Sequence, residues 1–139
     1  MPNRRKIAPG ALERFKTKIR VLTNRNRGKS IEQVVEDLSS YLRGWGGYFG
    51  FCQTRSVLMD LDSWIRRRLR CLMWRQWKVY RRRKAELIKR GVGADEAHCA
   101  AWCNRGPWPM SQIPQVRRAI PNAYFDSLKL PRLAQMGNI

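Results

Sequence analysis

The sequence predicts an all-α protein, a compact helical bundle-like module of about five or six helices. In several segments apolar residues recur at the spacing of one helix face, and no useful stretch alternates apolar and polar residues as a strand does. The length of 139 residues suits one compact domain, and hydrophobic residues make up 43% of the chain, which is enough for a core.

The first two helices are predicted from their apolar stripes and their start signals. Helix one is expected over Pro9–Leu22, because proline suits a first helical position. The polar and turn-prone residues 23–29 then predict a loop. Ser30 and Gln33 form a capping-box pattern, so helix two begins there.

Three glycines lie in the second half of helix two. The apolar stripe continues at helical spacing across Gly44, Gly46 and Gly47, which predicts an unbroken helix. Glycine costs roughly 1 kcal/mol within a helix, so we expect the backbone of a protein segment or of RNA to approach closely here. The neighbouring Trp45 favours a protein interface. The alternative is a helix that ends at Arg43 and continues as a glycine-rich loop.

The longest helix is predicted over residues 55–78, with a core stripe that runs from Leu58 to Leu72. A short helix should begin after Tyr80 and close near Gly91. Another is expected over residues 94–103, where acids occupy the first turn as the helix dipole favours. A stretch rich in proline and glycine follows, and a last helix is predicted over residues 115–128.

The charge of the chain is strongly one-sided. It contains 29 Lys and Arg residues against 10 Asp and Glu residues, a formal net charge of +19. Self-repulsion of this size disfavours a compact state, whereas a polyanion partner gains affinity from each phosphate that is neutralised. The composition therefore favours a nucleic acid as partner over a basic surface that serves solubility alone.

The sequence gives no sign of a membrane partner or of secretion. No apolar run is long enough to span a bilayer, and no apolar signal core follows the basic N-terminal residues. We therefore expect a cytoplasmic protein that does not bind a membrane.

The basic residues concentrate in residues 55–84, which hold eleven Lys and Arg residues against two acids. On the longest helix, Arg66, Arg70, Trp74 and Trp77 are predicted to point away from the apolar stripe. Arginine binds phosphates through its planar fork, and exposed aromatic rings stack on unpaired bases. A solvated helix face normally mixes both charges, so this region favours binding. Core packing remains the alternative for Trp74 and Trp77.

The loop before helix two is the second predicted basic site, with an ordinary polar loop as its alternative. The candidate RNA-binding residues come from this loop, from helix two and from the basic region. They are Arg25, Arg27, Lys29, Arg43, Arg55, Arg66, Arg67, Arg70, Trp74, Arg75, Trp77, Lys78, Arg81, Arg82 and Arg83.

Catalytic and metal chemistry are not predicted. The acids are scattered, no phosphate-cradling glycine motif occurs, and no residue is identified as a nucleophile. The spacing of Cys52, Cys71, Cys99, Cys103 and His98 fits no zinc framework. We therefore expect buried or idle thiols, no metal and no cofactor.

Three motifs occur in a definite order and spacing. They are Thr23-Asn-Arg-Asn-Arg-Gly-Lys-Ser30, then Tyr41-Leu-Arg-Gly-Trp-Gly-Gly-Tyr-Phe49, then Leu61-Asp-Ser-Trp-Ile-Arg-Arg-Arg-Leu-Arg70 with Trp74-Arg-Gln-Trp-Lys78. Together they resemble the maturase-specific region of group II intron-encoded proteins, which is called domain X or the thumb and follows a reverse transcriptase. The resemblance is strongest over residues 11–78. It implies a thumb-like helical region over residues 1–84 and a C-terminal helical extension, residues 85–139, packed on it.

The resemblance also implies partners. A domain of this kind binds structured intron RNA during splicing and primer–template duplex as part of a reverse transcriptase, whose finger and palm region is expected in cis or in trans. The Tyr-Ala-Asp-Asp metal site of that polymerase does not occur in this sequence, so we predict that the chain is not an enzyme by itself. Two alternatives remain: a general basic nucleic-acid-binding protein, and a thumb that acts in trans with a separate polymerase chain.

Overall fold

A computed structural model describes residues 9–24, 28–50 and 55–136, with the backbone alone described at residues 9, 47–50 and 136. The secondary structure of these residues is helical and includes no strand, which confirms the all-α prediction. The helices follow in chain order. They are α1 (Pro9–Leu22), α2 (Ile31–Gly50), α3 (Arg55–Trp77), α4 (Tyr80–Lys89), α5 (Ala94–Trp102), α6 (Pro107–Met110), α7 (Pro114–Ala119), α8 (Asn122–Ser127) and α9 (Leu133–Met136).

The first five helices lie where the sequence predicts them, to within a residue or two at their ends. The predicted single helix over residues 115–128 is wrong, because it is divided into α7 and α8. Pro121 stands at the break, directly after Ile120, whose φ of −126° and ψ of 71° are not helical. Proline has no N–H for the helical ladder and disfavours helical backbone in the residue before it.

The start of α2 confirms the predicted capping box. The Ser30 backbone N–H donates to Gln33 Oε1 at 3.1 Å, and the Gln33 N–H donates to Ser30 Oγ at 3.3 Å. These two bonds satisfy donors that the first turn of a helix leaves without partners. Lys29, the residue before Ser30, forms an ion pair with Asp37 at 2.8 Å.

The glycine segment of α2 is helical up to Gly50, so the prediction of an unbroken helix is confirmed. A Cβ atom added at Gly44 would meet no heavy atom within 4 Å, and Gly44 is exposed. The expectation that another protein segment approaches at Gly44 is therefore wrong for the part of the chain that the structure describes. The surroundings of the Gly47 side lie outside the described residues.

Contacts divide the chain into two compact units. One, which we call the terminal unit, comprises Met1–Ile65 with Asp126–Ile139; the other, the central unit, comprises Arg66–Phe125. The division falls inside α3, so its first part contributes to one unit and its second part to the other. The boundary at residue 84 that the resemblance implies remains a prediction.

The core of the terminal unit is built by α1, α2 and the first part of α3. Phe15 is fully buried, and its ring lies 5.8 Å from that of Tyr41 and 5.5 Å from that of Trp45. The carboxylate of Asp62 is buried and accepts hydrogen bonds from the backbone N–H groups of Leu133 and Ala134 at 2.8 and 3.1 Å. A carboxylate at this position satisfies the free donors of the α9 N-terminus and favours its dipole.

The core of the central unit combines the second part of α3 with α4 to α7 and the first part of α8. Several of its side chains are fully buried; they are Leu69, Trp74, Leu87, Met110, Ile120 and Phe125. Lys78 separates α3 from α4 and adopts a left-handed backbone with φ of 60°. A non-glycine residue is strained in that region, and the reversal ends α3 at Trp77, one residue before the predicted end.

Candidate nucleic-acid interface

The predicted outward face of helix α3 is wrong for four of its residues. Arg66, Arg70, Trp74 and Trp77 are only 2%, 8%, 0% and 3% exposed. The prediction assumed that α3 buries only its apolar stripe. In the second part of α3, other segments of the central unit also cover the side opposite that stripe. For Trp74 and Trp77 the alternative of core packing is therefore the one that the structure supports.

Arg70 is held by groups that lie far along the chain. Its Nε donates to the Ile120 carbonyl oxygen at 2.7 Å, and its Nη2 donates to Asn122 Oδ1 at 2.7 Å. The guanidinium also lies 5.6 Å from the centroid of the Phe125 ring. Arg70 therefore fastens α3 to the turn between α7 and α8, where the Ile120 carbonyl lies outside both helices.

The environment of Arg70 is electropositive. Burial, together with the positive charges of Arg117 and Arg66, lowers the pKa of Arg70 to about 10. A cation that is desolvated and faces like charges is stabilised by any anion that reaches it. The guanidinium remains protonated at neutral pH, so the site keeps its positive charge.

An open concavity of about 550 Å³ lies beside this arginine. Its lining consists of Arg70, Pro114, Arg117, Arg118, Pro121 and Asn122. Three of these six residues carry a guanidinium and none is an acid. Arg117 and Arg118 are both exposed, and Arg118 also forms an ion pair with Glu96. Guanidinium groups that converge on one concavity suit a phosphate group.

Two further predicted residues, Arg67 and Arg83, make intramolecular contacts. Arg67 donates to the Trp108 carbonyl oxygen at 2.9 Å and to Ser111 Oγ at 3.2 Å, and its guanidinium lies 3.7 Å from the Trp108 ring centroid. Arg83 donates through Nε and Nη2 to the Trp74 carbonyl oxygen at 3.2 and 3.0 Å. This carbonyl lies in the last turn of α3, where a cation is favoured, and burial lowers the pKa of Arg83.

The remaining predicted residues differ in exposure and in position. Lys29 and Arg75 are half-buried, and the residues that are exposed are Arg43, Arg55, Lys78, Arg81 and Arg82. Of these, Lys78, Arg81 and Arg82 lie together where α3 ends and α4 begins, in the central unit. Arg43 and Arg55 lie in the terminal unit. Arg25 and Arg27 are outside the described residues.

Arg117 and Arg118 were missed by the sequence reasoning. Their adjacency in the chain was a visible signal, because two neighbouring arginines without an acid beside them are a small basic cluster. Their convergence with Arg70 depends on the break at Pro121. A single helix over residues 115–128, as the sequence predicted, does not indicate this convergence.

The described residues offer no ready metal site. Among them, no group of three or more His, Cys, Asp or Glu side chains could hold a metal ion. Cys71 is buried and Cys99 is exposed, and burial raises the pKa of the Cys71 thiol above its ordinary value. Cys52 lies outside the described residues, and the absence of bound zinc remains a prediction. No helix in the described ranges is both long and apolar enough to cross a membrane.

Comparison with known proteins identifies the family. A comparison with curated proteins found no match. The sequence profile of the family described as group II intron, maturase-specific domain matches residues 12–91, which is more than half of the chain. The matched segment contains α2, α3 and α4 in full and most of α1, as well as the three motifs that carry the resemblance. The chain therefore belongs to the family of the group II intron maturase-specific domain.

Proposed function

We propose that this chain binds structured group II intron RNA and supports splicing by holding the RNA in place. The observation that carries the proposal is the concavity of the central unit, where Arg70, Arg117 and Arg118 converge without an acid in the lining. The exposed cations Arg81 and Arg82 of α4 add to the positive surface of the same unit. Contacts of this kind go to phosphates, which position an RNA without reading its sequence.

The chain contributes no bond-making step in this proposal. Its described residues place no histidine or paired carboxylates at the concavity, where the polar side chains are arginine and asparagine. Groups of this type bind and orient phosphates, whereas proton transfer requires a group that titrates near neutral pH. The proposed role is therefore that of an RNA-binding module. The exposed residues of the predicted RNA-binding set are further candidates; they are Arg43, Arg55, Lys78, Arg81 and Arg82.

The wider role follows from the family and extends the same proposal. As part of a reverse transcriptase, or beside a separate finger and palm chain, the domain would hold primer–template duplex. DNA synthesis by a finger and palm fragment, measured with and without this chain, tests that extension. Stimulation by the added chain supports it, and unchanged synthesis contradicts a role in trans.

A single substitution tests the concavity. Arg117→Gln removes one exposed guanidinium from its wall, and Arg14→Gln removes one exposed guanidinium from α1 as a charge-matched control. We expect Arg117→Gln to weaken binding of a group II intron RNA severalfold and to reduce the slope of log K against log salt by about 1. The control should change the slope by less.

The specificity of the RNA is tested separately, with random duplex DNA as the competitor. The proposal requires that structured intron RNA displace the DNA at equal nucleotide concentration. Equal competition by the DNA would instead identify a general basic nucleic-acid-binding protein. This is the second candidate function, because a net charge of +19 attracts any nucleic acid.

A further inference from the structure

Three aromatic side chains meet where α4 and α5 pack against each other in the central unit. Tyr80 begins α4, while His98 and Trp102 lie four residues apart on α5 and therefore on one helix face. The His98 and Trp102 rings are nearly parallel, with an interplanar angle of 22° and centroids 6.2 Å apart. Tyr80 meets both rings edge-on, at 5.6 and 5.8 Å. We call these three residues the aromatic platform.

Two rings of the platform, Tyr80 and His98, hold each other in place. The Tyr80 hydroxyl and His98 Nδ1 share a hydrogen bond of 2.5 Å. Edge-to-face pairs add a preference for this arrangement. A ring whose orientation is already fixed loses little conformational entropy when a ligand stacks on it.

The platform is not part of the core. Trp102 is 72% exposed, the most exposed of the large hydrophobic side chains in the described residues, and His98 is also exposed. Single exposed hydrophobic residues are ordinary on protein surfaces. Three converging rings, one of them a largely exposed tryptophan, form a surface on which a flat apolar ligand gains contact.

The charges around the platform favour a nucleic acid over a protein segment. Lys84 Nζ lies 5.9 Å from the centroid of the Tyr80 ring, and Arg81 follows Tyr80 on the exposed side of α4. Of the two acids in the first turn of α5, Asp95 lies one helical turn before His98, and Glu96 forms an ion pair with Arg118. The cations Lys84 and Arg81 therefore outnumber the one acid that borders the platform. Aromatic rings bordered by cations form the arrangement that binds single strands, in which bases stack and phosphates pair with Lys and Arg.

We propose that the aromatic platform stacks an unpaired nucleobase of RNA on Trp102 and His98, with Lys84 and Arg81 placed to pair with the adjoining phosphates. The inference rests on the proposed function and goes beyond it, because it assigns single-stranded nucleotides to a defined surface. It also involves His98 and Trp102, which lie outside the segment that matches the family, residues 12–91.

The test compares two RNAs that differ only in an unpaired segment. One is a blunt-ended hairpin taken from a group II intron, and the other carries the same stem with a single-stranded 3′ extension. We expect Trp102→Ala in the full chain to lower affinity for the extended hairpin by about 5- to 150-fold, the range measured when an aromatic partner of a stacked base is removed. Affinity for the blunt hairpin should change by less than twofold, and Trp102→Phe should retain part of the preference.

A second exposed tryptophan provides the control. Trp108 is 37% exposed, but the Arg67 guanidinium lies over its ring at 3.7 Å. Trp108→Ala should therefore leave the preference for the extended hairpin unchanged, and a thermal melt of each variant verifies that it is folded.

The outcomes separate the two proposals. A loss confined to the extended hairpin supports the platform. An equal loss for both hairpins, or none, overturns the platform and leaves RNA binding by the chain in place. If the wild-type chain binds neither RNA, the proposed function fails and the platform fails with it.

Discussion

Two arginines of α3 and two of α4 belong to one basic stretch of sequence, yet they lie in opposite environments. On α3, Arg66 and Arg70 are 2% and 8% exposed, whereas on α4 Arg81 and Arg82 are exposed. Arg70 donates to a carbonyl and a side chain about fifty residues away. A run of basic residues thus divides into buried cations that hold the fold and cations that are exposed, and only the three-dimensional contacts distinguish them.

The largest effect should come from removing a buried arginine. Arg70→Ala leaves the Ile120 carbonyl and the Asn122 side chain without their donor and opens space beside Phe125. We expect the free energy of unfolding to fall by about 2–4 kcal/mol, because charge-assisted hydrogen bonds and packing are lost together. Denaturant unfolding followed by circular dichroism measures this loss.

The matched control for this experiment is Arg82→Ala on α4. It removes the same side chain from an exposed site, where substitutions usually change stability by no more than about 0.5 kcal/mol. If Arg70→Ala unfolds at the same denaturant concentration as Arg82→Ala, the division between buried and exposed arginines is refuted.

A smaller effect, of opposite sign, is expected in the terminal unit. A Cβ at Gly44 meets no heavy atom within 4 Å, and α2 is helical at this position. Gly44→Ala should therefore raise the free energy of unfolding by about 0.5–1 kcal/mol, since alanine loses less backbone entropy in a helix. A destabilised variant in denaturant unfolding would mean that another segment approaches α2 at this glycine after all.

The bounds of α1 to α5 could be predicted from the sequence because they depend on local signals. The spacing of apolar residues and the Ser30–Gln33 capping box act within a few residues, and both are confirmed. The break between α7 and α8 was also accessible, since Pro121 stands inside the predicted helix. Asp62, one of the scattered acids, proved to cap α9, more than seventy residues later in the chain.

The candidate site could be predicted only in its chemistry. Composition and the basic run indicate a phosphate-rich partner, and the family match supports that class of ligand. Which arginines are buried and which are exposed could not be predicted from the sequence, because a helical wheel assumes that each helix buries one face. Trp74 is an example. The leucine stripe on one side of α3 predicts that Trp74 points outward, although tryptophan is itself hydrophobic. In the structure its side chain is 0% exposed.

The most direct test of RNA binding by the exposed cations of the central unit is an RNA titration at several salt concentrations with the double variant Arg81→Ala/Arg82→Ala. Its control is Arg14→Ala/Lys18→Ala, which removes two exposed charges from α1. We expect the α4 variant to unfold like the wild type, to bind intron RNA more weakly, and to show a slope of log K against log salt that is reduced by about 2, since roughly one counterion is released per phosphate contact. A slope equal to that of the wild type, or a reduction no larger than in the α1 control, would contradict the claim that the exposed cations of the central unit bind the RNA.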